Sequence, residues 1–297
     1  MRIATWNVNS IRARLDRVLG VLERHDLDVL ALQEIKCKEA QFPLAEIEAA
    51  GYKVAMHGLN QWNGVAIISR VGLAEVQVGF PGQPGFTKDP SATPAQLEAR
   101  AIGARVGAGS DGDAGASDRS SVMLWSVYVP NGRAVGDPHY HYKLDFLQAL
   151  REYAAQAGAS GEKLAAGEKA PAAGAQQAVP PSPHLLIVGD WNVIPTDADV
   201  WDPRLFAGEL YATDAERKAF AAFERAGMVE VTRPLATNFT FWDYKQLHFP
   251  RNEGMRIDYM YASAALADRA RSGQIDRDER KGKGASDHVP VIVDFDL

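Results

Sequence analysis

The stretch Leu185–Asn192, LLIVGDWN, sets the terms for any fold this chain adopts. Four consecutive apolar residues are too few for a helix but enough for one buried strand, and the glycine after them releases the backbone. Asp190 and Asn192 follow, and the two-residue period of an extended chain aims both side chains the same way. A buried strand that ends by presenting a carboxylate and an amide is building a site, so the rest of the fold is expected to deliver other groups to the same point.

The remaining chain repeats that theme. Arg2–Val8 alternates as a strand, and Ile11–Arg24 carries Ile11, Leu15, Val18, Leu19 and Leu22 at helical spacing. Leu27–Leu32 is a dense apolar run that ends at Gln33 and Glu34, a second buried strand with a carboxylate at its tip. A short helix is expected over Pro43–Ala50, and strands over Tyr52–His57, Gly64–Ser69, Leu73–Phe80, Ala99–Val106 and Val122–Val129. His139–Tyr153 reads as a helix, residues 158–183 as a flexible Ala/Gly/Pro/Glu-rich insertion, and residues 107–120 as a second surface loop. A helix over Asp214–Ala226 and strands over Phe239–Tyr244, Arg256–Tyr261 and Val289–Phe295 complete the reading. Strands with helices between some of them fit a mixed α/β sandwich better than a purely parallel sheet. No repeat or composition shift divides the 297 residues, so one catalytic domain is expected over 1–297.

Several classes fall away. No apolar run approaches the roughly 20 residues of a membrane span, and the polar start argues against a leader, so a cytoplasmic protein with no membrane partner is expected. Cys37 is the lone cysteine, which excludes an internal disulfide framework and a cysteine zinc site. Gly107–Gly112, GAGSDG, matches the dinucleotide fingerprint formally but precedes a strand where that motif requires a helix. There is no nucleophile elbow, HExxH or P-loop. A net charge of -6 argues against coating nucleic acid by bulk electrostatics and leaves a local basic cleft open.

The polar groups at strand ends are Asn7, Asn9, Glu34, Tyr128, Asn131, Asp190, Asn192, Asp258, Asp287 and His288. Each alone has an ordinary structural reading as a turn former, cap or surface charge; the set is what argues for chemistry. Oxygen ligands and amides without thiolates select a hard divalent cation that uses one or two carboxylates, leaving the others for proton transfer and for orienting a histidine. The runs TWNVNSIRARL, ALQEIKC, WNGVAIISR, LEARAI, VYVPNG, VGDWNV, TFWDY, RIDYMYAS and SDHVPV, in this order, resemble the exonuclease III family of AP endonucleases, within the endonuclease/exonuclease/phosphatase superfamily. The resemblance covers the chain from end to end apart from the two insertions. It implies a four-layered α/β sandwich, two mixed sheets packed face to face with helices outside.

It also implies roles. Glu34 matches the main Mg²⁺ ligand, with Asn7 and Asp287 near the metal, Asn9 in its outer shell, and Mn²⁺ able to replace the ion. Asp190 matches the residue that activates water, Asn192 the amide that positions it, and the His288–Asp258 pair a group at the scissile phosphate. Whether Asp190 acts as base throughout or a metal-bound hydroxide attacks stays open. Tyr128 and Asn131 match phosphate contacts, and Phe241, Met255 and Ile257 a small pocket for an extruded abasic sugar. Trp242, in TFWDY, belongs to the same DNA face. Lys36, Lys38, Arg133, Lys245, Arg251 and Arg256 fall in or beside motif loops as candidate phosphate contacts. The implied activity is that of an AP endonuclease cutting 5′ to abasic sites, with 3′–5′ exodeoxyribonuclease and 3′-phosphodiesterase activity. A monomer acting on double-stranded DNA with an abasic site or 3′ end is expected. A same-fold phosphatase of inositol phosphates or phospholipids and a noncatalytic DNA-binding scaffold are the alternatives.

Overall fold

The computed structural model describes residues 1–87, 95–107, 121–165 and 184–297, with residues 159–165 described by backbone alone. Strands β1 (Arg2–Asn7), β2 (Val29–Gln33), β3 (Lys53–His57), β4 (Val65–Ser69), β11 (Ala270–Ile275) and β12 (Val291–Phe295) form a sheet in the order β11-β12-β1-β2-β4-β3. Strands β5 (Leu73–Val78), β6 (Ala101–Val106), β7 (Val122–Tyr128), β8 (Leu185–Asp190), β9 (Met228–Glu230) and β10 (Asp258–Ser263) form the other, in the order β5-β6-β7-β8-β10-β9. Each sheet has one parallel pair at its centre, β1 with β2 and β7 with β8, and antiparallel neighbours outside it.

Strand alternation sorts the side chains into layers. Ile3, Val29, Ala31 and Val291 of the first sheet meet Ile102, Leu124, Val188 and Met260 of the second in one buried core between the sheets. The opposite face of the first sheet, with Ala4, Trp6, Leu30 and Leu32, packs on α1 (Ile11–Arg24) and α2 (Leu44–Ala49). The opposite face of the second, with Trp125, Ile187 and Tyr259, packs on α3 (Pro138–Ala165) and α5 (Asp214–Arg225), with the single turn α4 (Pro203–Phe206) between them in the chain. Because both faces of the central strands are covered, those strands read as continuous apolar runs. The result is the four-layered sandwich. No helix among the described residues is long and apolar enough to cross a membrane.

Gly189 shows how tightly the second sheet is drawn together. It pairs with Val127 of β7, and a Cβ at Gly189 would lie 1.9 Å from the Val127 carbonyl oxygen. The glycine in LLIVGDWN therefore serves close strand approach as well as backbone freedom.

Two expectations change, and two strands come in addition. Residues 158–165 continue α3, since the Ala, Glu and Lys there propagate a helix; 108–120 and 166–183 lie outside the described residues. Phe239–Tyr244 is not a strand: Phe241 exchanges hydrogen bonds with Met255, while Trp242 N–H turns to the Asp287 carbonyl, so neither neighbour supports a continuous ladder. Strands β9 and β11 lacked a readable pattern, the first through its brevity and the second because ARSGQI is a polar edge strand.

Candidate active site

Parallel β1 and β2, and parallel β7 and β8, end at the same edge of the sandwich, and this shared direction gathers the polar strand ends. In the second sheet Tyr128, Asp190 and Asp258 lie side by side in one register row across β7, β8 and β10. The first sheet brings Asn7 at the end of β1 and Glu34 one residue past β2. The Asn7 amide spans the two sheets, with Nδ2 donating to Glu34 Oε1 at 2.8 Å and to Asp190 Oδ2 at 2.9 Å.

Asp190 is the hub. His288 Nε2 lies 3.7 Å from Asp190 Oδ2, and its Nδ1 is 2.9 Å from Asp258 Oδ2, which fixes the ring. Thr240 Oγ1 accepts from the Ile257 and Asp258 amides, holding that carboxylate's backbone in place. Asn192 does not project in parallel with Asp190 along an extended chain. The strand ends at Asp190, Asn192 adopts a left-handed φ of 50°, and its backbone N–H donates to Asp190 Oδ1 at 3.0 Å while Nδ2 donates to the Val129 carbonyl at 2.9 Å. A turn brings the two residues together, where the sequence suggested a shared strand face.

Burial and charge set the protonation states. Burial, with Asp258 and Glu34 adding negative charge, pushes the Asp190 carboxyl up to about 7. For His288 burial alone would lower the value, but Asp258, Asp190 and Asp287 outweigh it and raise the imidazole to about 10. Burial would likewise raise Glu34; Lys36, the Asn7 amide and His288 overcome it and hold that carboxyl below its ordinary value. Burial and then Glu34 push the Tyr128 hydroxyl well above its usual range, so it stays protonated, and Arg100 packs over its ring at 4.8 Å.

Among the described residues, Glu34, Asp190 and His288 place ligand atoms within 4.8 Å of one another. The imidazole is committed to Asp258 and charged, so the carboxylate oxygens are the usable donors, a set suited to a hard cation that keeps its waters. A cation already faces them: Lys36 Nζ is 2.6 Å from Glu34 Oε2 and 2.7 Å from Asn9 Oδ1. Asn9 Nδ2 in turn donates to Asp287 Oδ1 at 3.0 Å, linking Asp287 to the group.

The candidate DNA contacts divide. Arg133 is exposed, its guanidinium 5.3 Å from the Phe86 ring, and Asn131 Oδ1 accepts from its N–H. Lys38, Lys245 and Arg251 are also exposed, though Arg251 pairs with Glu253. Phe241 lies 4.8 Å from the His288 ring and clusters with Met255 and the buried Ile257, joined by Phe206 and Tyr211. Two expected contacts are interior. Trp242 is fully buried against Phe239 and Phe249, and Arg256, 1% exposed, donates to Thr232 Oγ1 and faces Asp199 and Glu230. Both are framework, because the irregular 239–257 segment turns these side chains away from the surface. Lys36 is likewise turned in toward Glu34.

Sequence reasoning passed over four residues that the fold brings here. Tyr211, at φ 75°, joins the apolar cluster, and its hydroxyl bonds the Asn131 side chain. Buried Lys143 donates to the Asn192 carbonyl at 2.6 Å and pairs with Glu216. The readable signal was Thr213-Asp-Ala-Glu216, a helix capping box that places Glu216 on the first turn of α5. Trp62, 71% exposed, stands on a groove of about 650 Å³ that runs past Phe86, Leu97 and Arg133 to Tyr128 and Asn131.

Comparison with known proteins finds relatives that match along the whole chain. An exodeoxyribonuclease III from Haemophilus influenzae is 26% identical, covering 99% of this chain and all of its own. A 3′ phosphatase from Neisseria, solved bound to a product DNA hairpin, superposes with a TM-score of 0.81 at 29% identity, and an AP endonuclease from Archaeoglobus fulgidus with 0.79 at 28%; each covers 100% of both chains. The model of the endonuclease/exonuclease/phosphatase family matches residues 4–288, from β1 through His288, and the chain belongs to that family.

Proposed function

We propose that the chain is a Mg²⁺-dependent DNA repair phosphodiesterase that cuts 5′ to abasic sites and also processes 3′ ends as an exodeoxyribonuclease and phosphodiesterase. The observation that carries this reading is Asp190 itself. A buried carboxylate, raised to about 7, is held by two amide donors and faces both Glu34 and the Asp258-bound His288. That is a general base poised near neutral pH.

In this reading Asp190 takes the proton of the attacking water as the water oxygen bonds to phosphorus and the bond to the leaving oxygen breaks. Protonated His288 and the neutral Tyr128 hydroxyl place donors where negative charge builds on the phosphate. Asn192 and Asn131 orient the water and phosphate, and Asn7 keeps Glu34 and Asp190 in fixed relation. A divalent cation held by Glu34, with Asp287, Asn7 and Asn9 around it, would neutralise phosphate charge. Lys36 would have to yield its place beside Glu34 when the ion binds.

The whole chain acts here as one catalytic domain, a cytoplasmic monomer on double-stranded DNA. The relatives named for exonuclease, AP endonuclease and 3′ phosphatase activity support a DNA substrate over an inositol phosphate or lipid, and the groove from Trp62 to Asn131 supplies a path continuous with the site.

The test is cleavage of abasic, 3′-phosphate-nicked and blunt duplexes by purified protein, with Mg²⁺ and with EDTA. Activity should require the metal. Asp190→Asn should lower kcat by about 10³-fold while duplex affinity persists. Retained cleavage by that variant would sink the assignment, and equal turnover of a soluble inositol phosphate would favour the phosphatase reading.

A further inference from the structure

We infer that the buried Lys143–Glu216 pair is a positioning device for the active-site asparagines and not a tether that stabilises the fold. The inference rests on the hydrolytic reading above, in which Asn131 and Asn192 act.

Lys143 lies on α3 and Glu216 on α5, and neither side chain has any exposure. The ammonium has three N–H groups, and all have destinations: Glu216 Oε1, the Asn192 carbonyl at 2.6 Å and the Asn131 carbonyl at 3.4 Å. Glu216 extends the grip, accepting from the Tyr211 N–H at 3.1 Å through Oε1, and from the Thr213 N–H at 3.1 Å and hydroxyl at 2.8 Å through Oε2. One ion pair therefore holds four backbone groups around the rim of the site, at Asn131, Asn192, Tyr211 and Thr213.

Those points need holding. Asn192 and Tyr211 sit at φ 50° and 75°, and Asn131 leads into Gly132 and Arg133 at 94° and 60°. Left-handed non-glycine residues persist only where their surroundings over-determine them. Asn192 is fixed by its N–H on Asp190, its amide on Val129 and its carbonyl under Lys143. Removing the ammonium frees the third contact, lets Asn192 relax, and withdraws the N–H that aims Asp190 Oδ1. As a mere link between two helices, the pair would be a poor choice. Desolvating both charges roughly cancels their attraction, and well-packed neutral residues do as well. Only the reach to two carbonyls uses what a lysine offers.

The experiment compares wild type with Lys143→Met/Glu216→Gln, which removes the pair without leaving a lone buried charge. The expected result is an unchanged melting temperature, duplex Kd within about twofold, and kcat lower by about 10²-fold, the signature of misplacement without loss of binding. Lys143→Gln/Glu216→Gln, neutral but still with a donor at position 143, should recover part of that loss. A crystal structure of the double variant should show Asn192 outside the left-handed region. Wild-type kcat in the double variant, a loss that only tracks its unfolded fraction, failure of these variants to fold, or an unmoved Asn192 would each overturn the inference. Wild-type protein that cuts no DNA substrate refutes the functional reading instead, and the conformation of Asn192 still decides whether the pair positions it.

Discussion

At the scale of single residues, the chemistry of the site is a matter of which carboxylate carries a proton. Asp190 must lose one to act as base, and its folded-state value of about 7 lies above the ordinary range of an aspartate. Activity should therefore rise with pH as Asp190 loses its proton and then level off, and saturating Mg²⁺ beside Glu34 should draw that limb below 7. The same shift means that folded Asp190 binds its proton more tightly than the unfolded chain does, so it subtracts stability as pH rises from about 4 toward 7. His288 contributes stability that is complete below about 6.5 and lost as pH climbs through about 10. Asp258→Asn removes a charge that raises both groups, so the rising limb should move to lower pH while the plateau falls. A pH–rate profile of the two proteins checks this; a limb that stays in place would show that Asp258 does not tune the base.

Much of this residue set was legible beforehand because it stands at strand ends, where apolar runs stop at a carboxylate or amide. What the sequence hid were residues whose partners are remote in the chain. Arg256 and Trp242 look like surface candidates beside their motifs, yet Arg256 is enclosed by acids at 199 and 230. Lys143 and Glu216 lie 73 positions apart, and no local pattern announces that they meet.

At the scale of elements, the site depends on how closely β7 and β8 approach. Gly189→Ala would drive a methyl into the Val127 carbonyl and push apart the pair that carries Tyr128 and Asp190. The expected cost is about 3 kcal/mol, read from denaturant melts, and kcat should fall with it. An unchanged midpoint would mean that the strands can part without penalty. The sandwich itself was readable from short apolar runs separated by turn residues. The polar edge strand β11 and the pinned segment around Phe241 were not, since their hydrogen bonds come from outside any local period.

At the scale of the molecule, the proposed DNA substrate is polyanionic while the net charge is -6, so attraction has to be local. In the proposed reading the groove offers Arg133 for phosphate and Trp62 for stacking. Trp62→Ala should weaken duplex affinity about tenfold, a typical loss for one stacked base, while kcat and melting temperature stay unchanged because the side chain is 71% exposed. Fluorescence titration and melting curves decide it; full affinity in the variant would move the DNA path elsewhere. Affinity should also fall as salt rises, with a slope set by the few phosphates contacted.

The pairing of β1 with β12 joins the first strand to the last, with the Met1 amino group donating to the Phe295 carbonyl. The site draws on both of these strands, since Asn7 ends the first and His288 lies three residues before the second. During synthesis, then, a ribosome-bound chain holds Glu34, Asp190 and Asp258 long before it can assemble them with His288. In the proposed reading the nuclease remains inert until residues 287 and 288 have been made and can fold onto the site, and a fragment truncated ahead of Asp287 would lack DNA-cutting activity.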